Sequence, residues 1–422
     1  MNGDMHDLFY ALVRNCFWAL PAPLRNQLHG VRHSLARWMR TRRRPRKVVQ
    51  RPGDLGWPEF SDAVWHKITY RAVIILEPSL DWEIFLFQRP HHIALALGCL
   101  GCLVIFKTTG DGVAGFRQVA VNVWIANDQN VNAIHDAVRV FFSTSLLADA
   151  EDILGASEHG RVIYDYIDHI DPSISGGKVS LKRLERLKRA AFDGAADIIV
   201  SSASTLHREA IAQCGEERCV LIPNGVDVQH YQNARGMDVN LPRRLTAFRE
   251  KHRRIVGYFG AIAPWLWYEV MAEVSALMKD VGFIFIGPDY SGCVPRLPQN
   301  DNTLYVGAVN YSVLPAYARL FDVCFIPFRP GEVAHSTSPL KLYEYFALEK
   351  PVVVTADMNE CINFQEVFSG NDAIELVEAI DRAFAVCNNQ SYRARLRALA
   401  EANDWSDRAT AYLTKLDRLD DK

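Results

Sequence analysis

The sequence predicts an α/β protein with two Rossmann-like, doubly wound parallel-sheet domains that face a central cleft, preceded by a basic helical extension. Short apolar runs alternate with helical patterns from residue 70 to residue 222, and a second alternation begins at residue 255. The chain has 422 residues and is 49% hydrophobic, which suffices for two separate cores. The predicted segments are an extension at 1–60, a first domain at 61–235, a linker at 236–253, a second domain at 254–402 and a C-terminal helix at 403–422.

The first 50 residues differ in charge from the rest of the chain. They contain ten Arg and Lys residues against Asp4 and Asp7, a net charge of +8, so the remaining chain carries −10 and the total is −2. Apolar residues follow helical spacing on both sides of a break at 21–23, and a basic run at 42–47 comes next. Basic amphipathic helices of this kind bind anionic membrane surfaces. The alternatives are packing on the globular body and a nucleic-acid-binding arm.

The first domain begins the alternation of strands and helices. Strands are predicted at 72–76, 103–106, 119–125, 138–142, 162–166, 197–201 and 219–222. Helices are predicted at 90–97, 145–154, 181–192 and 204–213. A polar stretch at 235–253, with Pro242, is the expected hinge.

The second domain repeats the pattern. Five strands are predicted: one begins at 255, one covers 283–287, one ends at 306–309, and two cover 322–328 and 352–355. Three helices are predicted to begin at 266, 314 and 338, and three more to cover 373–384, 392–400 and 405–419. The last of these should cross back to the first domain.

The stretch 338–355 carries the strongest functional pattern. Ser338 is predicted to cap a helix whose first turn contains Pro339 and which leads into a buried strand at 352–355. The preceding loop, 329–337, should lie at the carboxyl end of the strand at 322–328, where parallel sheets bind ligands. The start of the helix favours a phosphate, and Glu344 is placed to accept hydrogen bonds from sugar hydroxyls.

This stretch resembles the donor-binding motif of GT-B glycosyltransferases, in particular of their family-4 group. The resemblance implies that Glu344 binds the ribose of a nucleotide. Many members have a second glutamate eight positions earlier, where this chain has Ser336, and Glu332 lies nearby but out of register. The implied donor-binding residues are Ser336, Thr337, Ser338, Pro339, Leu340, Lys341, Glu344, Gly260, Gly287, Gly307 and Arg329.

A strand that runs into Gly260 opens the second domain and fits a loop that approaches phosphate, although a lone GxxG pattern is weak. Many relatives follow this loop with an Arg and a Lys, whereas residues 263–267 are uncharged here. Lys341 is the expected replacement cation, with Arg329 behind it. The alternative is that Lys341 is a solvated lysine on the helix surface.

Two patterns of the first domain resemble a branch of the same family. Arg89 and His91 open the first helix and are expected to hold an anionic group of acceptor or donor, or else to be ordinary surface groups. Asp165, Asp168 and His169 come at the end of a predicted strand and are the candidate catalytic residues. For Asp165, capping of a helix or pairing with an arginine is the alternative.

Residues 222–227, Ile-Pro-Asn-Gly-Val-Asp, also match the family. The Asn-Gly pair predicts a tight turn that tolerates positive φ, and Asp227 is predicted to cap the following helix. A purely structural role for this turn is the alternative.

The resemblance implies a retaining transfer of a sugar from a nucleotide-diphosphate-sugar to an acceptor hydroxyl, in cell-surface polysaccharide or lipid-linked glycan synthesis. The first domain would bind the acceptor and the second the donor. Asp168, His169 or the departing phosphate would accept the proton. No Asp-x-Asp motif follows a strand, so we expect no metal and no other cofactor.

A non-catalytic scaffold of glycan assembly and a nucleotide-sugar epimerase or hydrolase are the alternative functions. A dinucleotide-dependent oxidoreductase is excluded, because neither half carries GxGxxG after its first strand. The sequence contains no apolar run that would span a membrane, so we expect a cytoplasmic protein, with residues 1–50 on the inner membrane face.

Overall fold

A computed structural model describes residues 53–110, 112–175, 178–233 and 239–420. The predicted basic helices of residues 1–50, and the membrane interaction assigned to them, lie outside these residues. Among the described helices, none is both long and apolar enough to cross a membrane.

The first domain is built on an eight-stranded sheet in the order β3-β4-β2-β1-β5-β6-β7-β8. All neighbouring strands are parallel except β3 and β4. Helices cover the sheet, so its central strands are buried runs of Val, Ile and Phe. The strands are β1 (Val73–Glu77), β2 (Leu103–Lys107), β3 (Gly115–Ala120), β4 (Val123–Asn127), β5 (Val138–Phe142), β6 (Val162–Tyr166), β7 (Ile198–Ser201) and β8 (Cys219–Leu221).

The single strand predicted at 119–125 is wrong, because this segment contains the turn of a hairpin. The antiparallel strands β3 and β4 meet at Asn122, whose φ is +57°. Asn tolerates this left-handed conformation better than most residues do. The apolar residues on both sides of Asn122 hide the turn in the sequence.

Seven helices are described in the first domain and the segment that follows it. The helix predicted at 145–154 begins later, because the Asp149 side chain accepts a hydrogen bond from the Ala150 N–H and caps it there. The helices are α1 (Trp57–Phe60), α2 (Arg89–Cys99), α3 (Ala150–Ser157), α4 (Pro172–Ser175), α5 (Lys178–Ala190), α6 (Ser204–Cys214) and α7 (Val228–Asn233).

The second domain has a six-stranded sheet in the order β11-β10-β9-β12-β13-β14, and all its strands are parallel. The edge strand β14 was not predicted from the sequence. It is half-exposed and lacks the continuous apolar run of the central strands. The strands are β9 (Arg254–Phe259), β10 (Val281–Ile286), β11 (Thr303–Gly307), β12 (Val323–Ile326), β13 (Val352–Thr355) and β14 (Val367–Gly370).

The predicted hinge at 235–253 contains a helix that packs on the second domain. Its Leu245 side chain is fully buried in that domain's core, with Phe248 beside it. The described helices from this point are α8 (Arg243–Lys251), α9 (Tyr268–Leu277), α10 (Leu314–Ala318), α11 (Glu332–Ser336), α12 (Leu340–Ala347), α13 (Asn359–Ile362), α14 (Ala373–Val386), α15 (Gln390–Glu401) and α16 (Trp405–Asp420).

The last helix, α16, leaves the second domain and packs against α2 of the first. Trp405, Tyr412 and Leu413 are buried in the core of the first domain. The end of the chain therefore ties the two domains together on the side of the first domain that carries Arg89.

Candidate active site

The second sheet brings its candidate site residues to the carboxyl ends of β9 and β12. These strands are neighbours, but the chain continues from them to opposite sides of the sheet. Such a switch in direction leaves a crevice outside the strand ends, and ligands of α/β proteins bind there. Gly260 follows β9, and helix α12 follows β12 after the short helix α11.

The start of α12 lies at the gap between the domains. The Asn224 side-chain amide of the first domain donates to the Ser338 carbonyl, and the Asn224 backbone N–H lies 3.4 Å from the Ser338 hydroxyl. Ser338 does not cap the helix as predicted, because Pro339 occupies the capping position and the Ser338 hydroxyl contacts Asn224 and Tyr343. The first N–H groups of a helix have no intrahelical partners, so this end keeps its affinity for an anion.

Lys341 extends from α12 across the loop after β9. Its Cε would lie 2.7 Å from a Cβ placed at Gly260, and its ammonium lies 5.6 Å from the Tyr258 ring and 5.1 Å from the Phe328 ring. Burial lowers the pKa of Lys341, and the nearby carboxylates of Glu344 and Asp168 oppose this effect. The alternative of a fully solvated surface lysine is therefore wrong.

Glu344 lies one helical turn behind Lys341, and its side chain is buried. Burial raises the pKa of Glu344 to about 7, while the Tyr231 phenol and Lys341 favour the ionised form. The Tyr231 hydroxyl is itself buried and interacts with the Glu344 carboxylate. A polar ligand group could therefore find both an acceptor and a donor at this point. Binding of a ribose by Glu344 remains a prediction.

Three glycines end neighbouring strands at this edge of the sheet. Gly260, Gly287 and Gly307 have φ values of +143°, +144° and +101°. The Gly260 N–H donates to Ile286, and the Gly287 N–H donates to Gly307. A Cβ at Gly287 would lie 1.8 Å from the Gly260 carbonyl oxygen. Glycine is thus required because the strand ends approach each other closely, and backbone groups line the predicted donor site.

Arg329, the second candidate cation, is paired with Glu269. Its guanidinium is about half exposed and makes two hydrogen bonds of 2.8 and 3.0 Å to the Glu269 carboxylate. Glu269 lies in the first turn of α9, where a carboxylate is favoured, and it draws Arg329 to that helix. The uncharged loop 263–267 pairs with the segment after β12 through Trp265 and Trp267.

The side chain at position 336, where relatives would have the first motif glutamate, points into the protein. Ser336 is 1% exposed, and its hydroxyl donates to the carbonyl of Glu332. The Thr337 hydroxyl donates in the same way to Val333. The Glu332 side chain is exposed at the start of α11. Neither hydroxyl replaces the carboxylate that relatives place here.

Arg89 is buried in an ion pair, so the alternative of an ordinary surface group is wrong, and its contact with an anionic group stays a prediction. Its Nε lies 2.8 Å from the Asp165 carboxylate, and the two side chains are 2% and 0% exposed. The Tyr412 hydroxyl of α16 donates to the same carboxylate. Pairing with an arginine was the alternative for Asp165, and it accounts for this residue better than a catalytic role does.

Both ring nitrogens of His91 also contact other groups of the protein. It is fully buried, its Nδ1 accepts a hydrogen bond from the Gln88 N–H, and its Nε2 lies 3.0 Å from the Asp81 carbonyl. Nε2 must then carry the proton. His91 therefore caps the first turn of α2, and its predicted contact with an acceptor or phosphate is wrong for this arrangement.

Asp168 is the candidate catalytic carboxylate that the structure brings toward Lys341. It follows β6, and its backbone N–H donates to the Ser143 hydroxyl at the end of β5. Burial raises the pKa of Asp168 to about 7, although Lys341 and Arg89 oppose the shift. The half-buried His169 lies instead within electrostatic range of Glu209.

The sequence did not indicate the role of Asn224. Its side-chain oxygen accepts from Arg89, its side-chain amide donates to Ser338, and its carbonyl accepts from Arg408 of α16.

The predicted positive φ of the Asn-Gly turn is wrong. Gly225 is needed because a Cβ there would lie 2.6 Å from the Asn403 carbonyl oxygen. The predicted capping by Asp227 is confirmed, because it accepts from the His230 N–H.

Comparisons with known proteins agree with this fold. Residues 253–385 match the model of the family described as Glycosyl transferases group 1. A putative teichuronic acid biosynthesis glycosyltransferase, TuaH of Bacillus subtilis (strain 168), is 25% identical over 261 residues, which are 58% of this chain and 64% of TuaH. The chain thus spans somewhat less than two thirds of the length of this curated relative.

Solved structures with low identity share the architecture. A UDP-forming trehalose-phosphate synthase from Burkholderia xenovorans has a TM-score of 0.62 at 14% identity, over 82% of this chain and 100% of that one. The sucrose-phosphate synthase of Thermosynechococcus elongatus has a TM-score of 0.59 at 16% identity, over 83% and 99%. An E. coli neighbour bound with UDP-2-fluoro glucose has a TM-score of 0.57 at 14% identity, over 82% and 98%.

The two facing α/β domains have the GT-B architecture of these solved structures, and the comparisons confirm the fold that the sequence predicted. More specifically, the domain that carries Lys341 and Glu344 matches the group 1 glycosyl transferases.

We expect Gly287→Ala to destabilise the second domain more than Gly307→Ala. Both substitutions impose a positive φ on alanine, which costs about 1–3 kcal/mol of unfolding free energy. Only at Gly287 does the new Cβ also meet a backbone oxygen, whereas nothing lies within 4 Å at Gly307. The added overpacking should cost about 1–3 kcal/mol more in urea unfolding. Equal losses for the two variants would show that the strand ends are not in contact.

Proposed function

We propose that this protein is a retaining glycosyltransferase that moves a sugar from a nucleotide-diphosphate-sugar to an acceptor hydroxyl in cell-surface polysaccharide or lipid-linked glycan synthesis. The observation that carries the proposal is the position of α12, whose start lies at the gap between the domains with Lys341 over Gly260 and Glu344 behind it. The match of this domain to group 1 glycosyl transferases supports it. The role of TuaH in teichuronic acid biosynthesis is the basis for the proposed pathway class.

The donor would bind along the carboxyl edge of the second sheet. Its diphosphate would lie at the start of α12 and beside the Lys341 ammonium, because both favour negative charge. The ribose hydroxyls would donate to Glu344. The nucleobase would contact the backbone at the loops after Gly287 and Gly307, which follow neighbouring strands of this edge.

The transfer step needs a proton acceptor and a stabilised leaving group. The acceptor oxygen forms a bond to the anomeric carbon while the bond from that carbon to the diphosphate oxygen breaks, and the hydroxyl proton passes to the Asp168 carboxylate. Lys341 and the helix start stabilise the departing diphosphate. We propose that these groups suffice without a metal ion, so that activity persists in EDTA.

Residues 1–50 would hold the enzyme on the inner face of a membrane. Their net charge of +8 and apolar stripes favour an anionic lipid surface, where each basic residue contributes about 1 kcal/mol. A lipid-linked acceptor would then be presented to the first domain of an otherwise cytoplasmic protein.

A second candidate is a non-catalytic scaffold that binds a nucleotide sugar without turning it over. One observation favours it: Ser336 replaces the first motif glutamate and is turned inward. Incubation with a panel of UDP-, GDP-, ADP- and dTDP-sugars, followed by mass spectrometry of the products, separates the candidates, because only an enzyme releases the free nucleotide diphosphate.

We expect Glu344→Ala to weaken binding of the best nucleotide sugar from this panel by at least tenfold in calorimetry, because the ribose loses its acceptor. The melting temperature at pH 8 should not fall, since removing a buried carboxylate whose pKa is about 7 relieves a desolvated charge. The control is Glu332→Ala, which changes an exposed glutamate on the neighbouring helix. Wild-type affinity in Glu344→Ala would refute the assigned ribose contact.

We expect the transfer rate to rise with pH through an apparent pKa near 7, because Asp168 accepts a proton only when ionised. Asp168→Asn should lower kcat by about 10²–10⁴-fold and abolish this rise. His169→Ala should keep the profile. An unchanged profile in Asp168→Asn would instead assign the proton to the departing phosphate.

We expect deletion of residues 1–50 to release the protein from liposomes that contain phosphatidylglycerol while donor binding stays intact. Neutral phosphatidylcholine liposomes are the control for charge. Continued sedimentation of the shortened protein with anionic liposomes would place the membrane contact on the globular body.

A further inference from the structure

A groove of about 700 Å³ opens at the carboxyl edge of the first sheet, apart from the residues assigned to the donor. Its lining includes Glu77 and Lys107, which end β1 and β2, and Arg139 near the start of β5, whose side chain reaches Glu77. One wall is the helical turn Gln129–Ala133, and the other is helix α3. We call this cavity the β1/β5 groove.

The position of the groove in the sheet marks it as a ligand site. From β1 the chain continues to β2 and β4 on one side, and it returns to β5 on the other side of β1. The β1/β5 groove therefore lies at the switch point of the first sheet, as the Gly260 edge does in the second. A crevice at this point is where open α/β sheets bind ligands, and its volume is in the range of small-molecule sites.

The groove lies next to the proposed reaction centre. Asp168 follows β6, which is the second strand from β1, and neighbouring strands are about 4.8 Å apart. The strand β5 links the two places, because Phe141 lines the groove and the Ser143 hydroxyl two residues later accepts from the Asp168 N–H. A molecule that presents a hydroxyl to Asp168 would need to extend only about 10 Å to enter the groove.

Three charged side chains of the lining are paired. The Glu77 carboxylate accepts hydrogen bonds from Lys107 at 2.8 Å and from Arg139 at 2.9 Å, and Arg139 also donates to Asn132. These contacts hold the three charged groups in one arrangement. A ligand hydroxyl would therefore meet oriented acceptors and donors without needing to supply a charge.

The charge of the lining disfavours an anionic ligand. Four carboxylates and two cations line the groove, so its net charge is −2 when His159 is neutral. Uronate or phosphate groups would be repelled. The lining residues with charge are Glu77, Asp128, Glu151, Asp152, Lys107 and Arg139.

We infer that the β1/β5 groove binds an uncharged sugar segment of the acceptor, beyond the unit whose hydroxyl is glycosylated. This inference rests on the proposed function. It deepens that function by specifying that the enzyme recognises more than one unit of a neutral stretch of glycan and holds the rest of the chain away from the donor.

Gly155→Trp tests the inference, because Gly155 lines the groove on α3 and a Cβ there meets nothing within 4 Å. Gln129→Trp blocks the groove from the opposite wall. The matched control is Leu154→Trp, which adds the same side chain at the neighbouring, 49% exposed position outside the lining. Melting temperatures would verify that all three variants fold.

The full-length wild type and variants are applied to an array of neutral, uronate-bearing and phosphate-bearing glycans, and affinities for the bound glycans are measured by calorimetry. We expect neutral glycans to bind the wild type and Leu154→Trp, and to bind both blocked variants at least tenfold more weakly. Binding of anionic glycans only, binding that the blocked variants retain, or no glycan binding would overturn the inference.

Nucleotide-sugar binding, measured in the same four proteins, separates this inference from the proposed function. It should be equal in all of them, because the groove does not touch the donor edge. If the wild type binds no nucleotide sugar, the proposed function fails regardless of the groove. If it binds the donor normally while the blocked variants bind glycans as tightly as the wild type does, only the present inference fails.

Discussion

The arrangement of the site depends on the buried ion pair between Arg89 and Asp165. Both side chains are almost fully removed from water, so each charge is tolerated only because the other is present. Arg89 also donates to the carbonyl of Pro223 and to the side-chain oxygen of Asn224. The ion pair thus fixes the segment after β8 against α2, and Asn224 carries this constraint across the gap to Ser338 at the start of α12.

Ionisable groups of both domains interact at the gap. Asp168 of the first domain and Glu344 of the second each have a pKa raised to about 7 by burial, and Lys341 interacts with both. Two carboxylates near one lysine give a site whose charge changes around neutral pH. A diphosphate that enters would compete with these carboxylates for Lys341, which links donor binding to the protonation of Asp168.

A second feature of the site is the position of its cations. The loop after Gly260 carries no charge, and Arg329 is held by Glu269 in the first turn of α9. Lys341 instead crosses Gly260 from the helix itself. The absence of a Cβ at Gly260 leaves room for this side chain. Lys341 therefore reaches the crevice from the α12 side, whereas the loop 263–267 carries no charge.

The sequence by itself determined the two α/β domains, helix α12 and the glycines at the strand ends, because apolar periodicity, proline and glycine act over a few neighbouring residues. It did not predict the turn at Asn122 or the edge strand β14, which lack such patterns. Only the tertiary structure decided that Arg89 pairs with Asp165, that His91 caps its own helix and that Asn224 meets Ser338 114 positions away. A buried polar group takes the partner that the folded core brings to it, and the spacing of residues along the chain does not specify that partner.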